Sequence, residues 1–76
     1  MIFELLNDAI NELQYLNQGD IFLLKDLFKG YIWERIDKSI RRKLGSLFLE
    51  HINSNPNLRV IPLGKTSSNQ QKYQKI

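Results

Sequence analysis

The chain has no cysteine. Disulfides and thiolate metal sites are therefore excluded, and a reducing compartment is allowed. Histidine is almost as scarce: the single His51 cannot assemble a multi-histidine metal centre. No apolar run approaches the roughly 18 residues of a membrane span, and the first residues carry acids where a signal peptide would carry a basic start. A cytoplasmic protein without membrane attachment is the expectation. Positive charge is missing from residues 1 to 24, which hold Glu4, Asp8, Glu12 and Asp20 and no Lys or Arg. All 11 basic residues fall between 25 and 76, against Asp26, Glu34, Asp37 and Glu50. The net charge of +3 thus hides an acidic beginning and a basic remainder. Such a field draws an anionic surface to the basic part and turns the acidic part away.

What is present suits one domain with one modest core, since 76 residues with 42% apolar content leave little to spare. From Ile2 to about Leu16, the residues Ile2, Leu5, Leu6, Ala9, Ile10, Leu13 and Leu16 recur at helical spacing. Glu4, Asp8 and Glu12 stack on another face, so residues 1–17 read as an acidic amphipathic helix. Phe3 and Tyr15 lie outside the tightest stripe and extend the buried face or meet a second subunit. Asn17-Gln18-Gly19-Asp20 reads as a stop, with Gly19 suited to a helix C-cap. Ile21-Phe22-Leu23 fits a short strand, and Leu24, Leu27 and Phe28 a short helix that Gly30 ends. Residues 31 to 36 form a further helical turn in which Trp33 is more simply a core anchor than a base-stacking residue.

The longest periodic stretch runs from Asp37 to about Ser54. Ile40, Leu44, Leu47, Phe48 and Ile52 share one helical face, while Arg42, Ser46 and Asn53 fall roughly opposite. Asp37 or Ser39 can cap its start. Arg41, Arg42 and Lys43 crowd the first turns, where the helix macrodipole disfavours cations. A polyanion accounts for that placement; a solvated charged face is the plainer alternative. Gly45 costs this helix about 1 kcal/mol relative to alanine, so something must need the missing side chain. Close packing against the preceding short helix is the first explanation and approach of a nucleic-acid backbone the second. Asn55-Pro56-Asn57 ends the helix. Residues 58–76 then read as a strand, a polar turn from Gly64 to about Gln70, and a return strand with Tyr73 inward; Pro62 places the first strand at an edge.

The order helix, short strand, short helix, basic helix, strand, turn, strand predicts an α+β winged helix-turn-helix: three or four helices with a C-terminal two-stranded wing. Residues 37–54 are its candidate recognition helix. Arg42, Lys43 and Ser46 are expected in a DNA groove, with Arg41, Lys65 and Lys72 on phosphates and Thr66 and Asn69 as further polar contacts from the wing. Enzymatic chemistry has no support. Gly64-Lys65-Thr66 ends like a phosphate loop, but Arg59 stands where the earlier glycine belongs. No Ser, His and acid set has a supporting spacing.

The stretch Phe22-Leu23-Leu24-Lys25-Asp26-Leu27-Phe28-Lys29-Gly30, then Trp33, Arg42, Leu44-Gly45 and Phe48, gives the pattern F-x-L-x-D-L-F-x-G, W, R-x-L-G-x-x-F. Gly64-Lys65 and Asn69-Gln70-Gln71-Lys72-Tyr73 extend it. On these residues the chain resembles an uncharacterised family of short bacterial proteins, a domain of unknown function. The resemblance spans about residues 22 to 73 and leaves the acidic helix outside, as a local addition serving partner choice. It implies no activity, cofactor or ligand; its likeness to winged-helix modules implies DNA binding by analogy. The expected function is double-stranded DNA binding by a small transcriptional or replication-linked regulator. The alternative is a protein-interaction module, an adaptor or inhibitor, that dimerises or grips a partner through the stripe Ile2, Leu6, Ala9, Leu13 and Leu16.

Overall fold

The computed structural model describes residues 1–76. The first helix, α1, spans Ile2–Glu12 and tightens into a 3-10 turn at Leu13–Tyr15. Its apolar stripe turns inward: Ala9 and Leu13 are fully buried, with Ile2, Leu5, Leu6, Ile10 and Leu16 packed around them. The chain leaves at Leu16 in an extended conformation, so Gly19 is not the helix cap expected of it. Gly19 instead sits in the turn from Asn17 to Asp20, at φ +95°, and that turn delivers the chain into strand β1 (Ile21–Leu23).

After β1 the Leu24–Leu27 segment is a 3-10 helix, stopped by an extended Phe28. The Asp26 carboxylate accepts from the Leu23 backbone N–H at 2.8 Å, a capping bond at the start of this short helix. Gly30 begins the next helix, α2 (Gly30–Arg35), and does not end the preceding one. The long helix α3 covers Lys38–Ser54. Asp37 caps it by accepting from the Ser39 backbone N–H at 3.2 Å and from the Ser39 hydroxyl. Those bonds, the hydroxyl first, hold the Asp37 carboxyl below its ordinary pKa, with Arg42 and Arg41 adding electrostatic support. At the far end the Asn55 side-chain amide donates to the His51 carbonyl at 2.8 Å, and a 3-10 turn at Pro56–Leu58 prevents continuation.

Strands β2 (Val60–Lys65) and β3 (Gln71–Lys75) form the expected hairpin, but the sheet has three strands, not two. Strand β1 pairs antiparallel with the other side of β3, placing Phe22 opposite Tyr73, and the order is β1-β3-β2. The short IFL run satisfies its backbone by pairing with the outer edge of β3. Strand β2 lies at the edge, where Pro62 needs no partner for its missing N–H. Between Pro62 and Lys65 the register slips by one residue, a bulge that bends the hairpin.

The core lies between the sheet and the two longer helices. Tyr73 stacks on Phe22 with centroids 5.6 Å apart and receives Phe48 edge-on at 5.0 Å. Leu44, Phe48 and Ile52 supply the inward face of α3, and Val60 closes the sheet side. Phe28 and Trp33 pack against this core without entering it, their rings 5.7 Å apart. No helix is long and apolar enough to cross a membrane.

Candidate nucleic-acid interface

The outward face of α3 and the tip of the β2–β3 hairpin enclose a groove of about 830 Å³. Lys38, Arg42, Gly45, Ser46 and Leu49 line it from the helix, recurring at intervals of three and four residues as one face requires. Lys65, Ser68, Asn69, Gln70 and Gln71 line it from the hairpin, and Lys25 from the turn after β1. Its apolar lining comes from Leu23, Leu24, Trp33, Leu49 and Tyr73. Lys25, Lys38, Arg41, Arg42 and Lys65 are all cations, and no acidic residue lines the groove. Low-dielectric walls carrying one sign of charge focus their field into the space between them.

The hairpin tip is held by local bonds. The Thr66 hydroxyl accepts from the backbone N–H groups of Ser68 and Gln70, each at 3.2 Å, and the Thr66 N–H donates to the Gln70 carbonyl at 2.8 Å. Asn69 takes the left-handed conformation that lets the chain reverse, at φ +64°. Below the tip the Gln71 side-chain amide donates to the Leu63 carbonyl, tying the bulge to β3.

Arg41 has an internal task that the sequence did not reveal. Its guanidinium donates to the Trp33 carbonyl at 2.8 Å, lies over the Trp33 ring at 5.2 Å from the centroid, and stands 3.9 Å from the Glu34 carboxylate. It fastens the end of α2 to the start of α3, which sets the angle at which α3 presents its outer face. Its Nε is buried without a hydrogen-bond partner.

Of the residues singled out from sequence, Arg41, Arg42, Ser46, Lys65 and Asn69 line the groove, whereas Lys43, Thr66 and Lys72 do not. Lys43 is exposed beside the groove-facing row of α3. Lys72 precedes the inward Tyr73, so strand alternation turns it to the opposite sheet face. Lys25 and Lys38 were missed. Lys38 had a signal, being four residues before Arg42 and so on the same helical face; Lys25 had none, because only the fold of the preceding strand brings it there.

Gly45 corrects another expectation. Nothing lies within 4 Å of the place where its Cβ would stand, so close packing against α2 does not explain it. It faces the groove.

No curated protein and no solved structure matches the chain. A family model described as Domain of unknown function (DUF1413) matches residues 7–75, from within α1 to the end of β3. The family thus takes in the second half of α1, which the sequence patterns had left outside as an addition. On the strength of that match, over nearly the whole sequence, the chain belongs to the DUF1413 family.

Proposed function

We propose that the protein binds double-stranded DNA through this groove in the manner of a winged helix, with α3 as the recognition helix and the β2–β3 hairpin as the wing. The observation that carries the reading is the composition of the groove: five cations and no acid, with Lys38, Arg41 and Arg42 on α3, Lys65 on the hairpin and Lys25 on the turn after β1. A DNA major groove about 12 Å wide admits one helix and flanks it with phosphates. In that pose Arg42 and Ser46, one turn apart, reach base edges, while Lys25, Lys38 and Lys65 meet the phosphate strand lying between helix and wing. Arg41, engaged by Trp33 and Glu34, adds to the field and holds the helix in place. No residue of α1 lines the groove, so the acidic row Glu4, Asp8 and Glu12 stays away from phosphate. A small transcriptional or replication-linked regulator is the role this chemistry suits.

The test is fluorescence anisotropy of labelled mixed-sequence duplexes at low salt. The wild type is expected to bind, and a folded Lys38→Glu, Arg42→Glu, Lys65→Glu variant is expected not to. Absence of wild-type binding, or its persistence in the variant, defeats the reading. The second reading, a protein-interaction module, draws support from Phe3 on α1 and Tyr15 in the 3-10 turn after it, which are 66% and 72% exposed. It draws none from the proposed seam, because Ala9 and Leu13 are buried within the chain itself. A partner retained by the charge-reversed variant and lost from a Phe3→Ser, Tyr15→Ser variant favours that reading.

A further inference from the structure

Glycine in a helix interior is retained where a backbone conformation or a close contact demands it. Gly45 has neither reason within the chain: its φ is not in the left-handed region, and the space a Cβ would fill is open. It lies in the groove-facing row of α3, between Arg42 one turn before and Leu49 one turn after. Long side chains therefore stand on both sides along that face, with a notch between them. A ligand entering the notch approaches the helix backbone by about 1.5 Å more than a Cβ would allow, the length of one carbon–carbon bond.

Resting on the DNA-binding reading, we infer that Gly45 is the point where a DNA sugar–phosphate strand packs directly against α3. The deoxyribose meets the bare Cα, and the adjoining phosphates face Lys38 and Lys65 across the groove. Small residues also mark places where two protein helices cross closely. The surroundings favour the nucleic acid, because Lys38, Arg42 and Lys65 border the same groove and no acid does. Gly45 is thus a positioning residue: it contributes no bond, and its missing side chain sets how deeply the ligand seats.

The experiment compares wild type, Gly45→Ala, Gly45→Leu and Asn53→Ala for thermal unfolding and for duplex affinity by anisotropy. Alanine and leucine are better helix formers than glycine, so the Gly45 variants fold; Gly45→Ala is expected to raise Tm by roughly 4–8 °C. Overfilling a close contact should weaken duplex binding about tenfold for Gly45→Ala and further for Gly45→Leu. Asn53→Ala, which raises helix propensity on α3 away from the groove, should leave affinity unchanged. A Gly45→Ala variant that is more stable and binds as tightly as wild type overturns the inference alone. A lower Tm in Gly45→Ala also overturns it, since the fold itself would then need the glycine. If wild type binds no duplex, the DNA reading falls and the inference with it; a protein partner lost selectively from the Gly45 variants would assign the notch to a helix crossing.

Discussion

The salt dependence of duplex binding can be worked from the groove before any contact is seen. Five cations line it, but the Arg41 guanidinium is held by the Trp33 carbonyl and Glu34 and Arg42 is directed at bases, which leaves Lys25, Lys38 and Lys65 to meet phosphate. Each neutralised phosphate contributes about −0.9 to the slope of log K against log salt, so three give roughly −2.7. Raising salt from about 50 to about 200 mM then weakens binding roughly 40-fold. An Arg42→Ala, Lys65→Ala variant keeps two contacts, with a slope near −1.8 and a loss of roughly 12-fold over the same range. The informative comparison is Lys43→Ala, Lys72→Ala, which removes the same net charge from residues that do not line the groove. Anisotropy titrations at four or more salt concentrations should give this second variant a slope close to wild type. Equal slopes for the two double variants would refute the reasoning, because binding would then follow net charge and not the groove.

Three further outcomes follow from the side-chain geometry. Arg41→Ala should destabilise the fold by roughly 2 kcal/mol in urea unfolding, through the lost bond to the Trp33 carbonyl and the lost contact with its ring. Arg41→Lys should recover little of that, because an ammonium cannot reproduce the planar fork. Burial pushes the Tyr73 hydroxyl up to about 12. The unfolded chain therefore releases this proton first, and stability that is fully present below about pH 10 is lost as pH rises toward 12, by at most about 3 kcal/mol. Tyr73→Phe should show a correspondingly smaller alkaline loss than wild type. Asp37→Ala should lower Tm at neutral pH by removing the cap on α3. Since the fold depresses the Asp37 pKa, the cap's contribution is present above the ordinary carboxylate range and lost as pH falls through the lowered value. An acid-unfolding profile unchanged by the substitution would contradict this.

The parts of the fold legible in the sequence were those written in periodicity and local chemistry. The stripe of α3, its Asp37 cap, the stop at Asn55-Pro56 and the edge position of β2 all follow from neighbouring residues. What escaped depended on distant partners. Ile21-Phe22-Leu23 carries no mark of the strand it joins, so the third strand of the sheet became visible only from its pairing with β3. Gly30 resembles a terminator, yet the preceding 3-10 helix has already stopped at an extended Phe28, and Gly30 starts α2. In the groove, Arg42 and Ser46 could be placed by helical phase, whereas Arg41 could not. One residue from Arg42 on the same helix, it meets Trp33 and Glu34, whose positions depend on how α2 packs. That Lys72 and Thr66 lie outside the groove lining was not legible, because charge and polarity alone do not say which face of a hairpin a residue occupies or which side chain closes its turn.

The central claim, that duplex DNA enters between α3 and the hairpin, is tested most directly by titrating isotope-labelled protein with a short duplex and following backbone amide chemical shifts. The largest changes are expected on Lys38, Arg42, Gly45, Ser46, Lys65 and Asn69, with α1 unaffected. Changes centred on Glu4, Asp8 and Glu12, or none at saturating duplex in low salt, would contradict it.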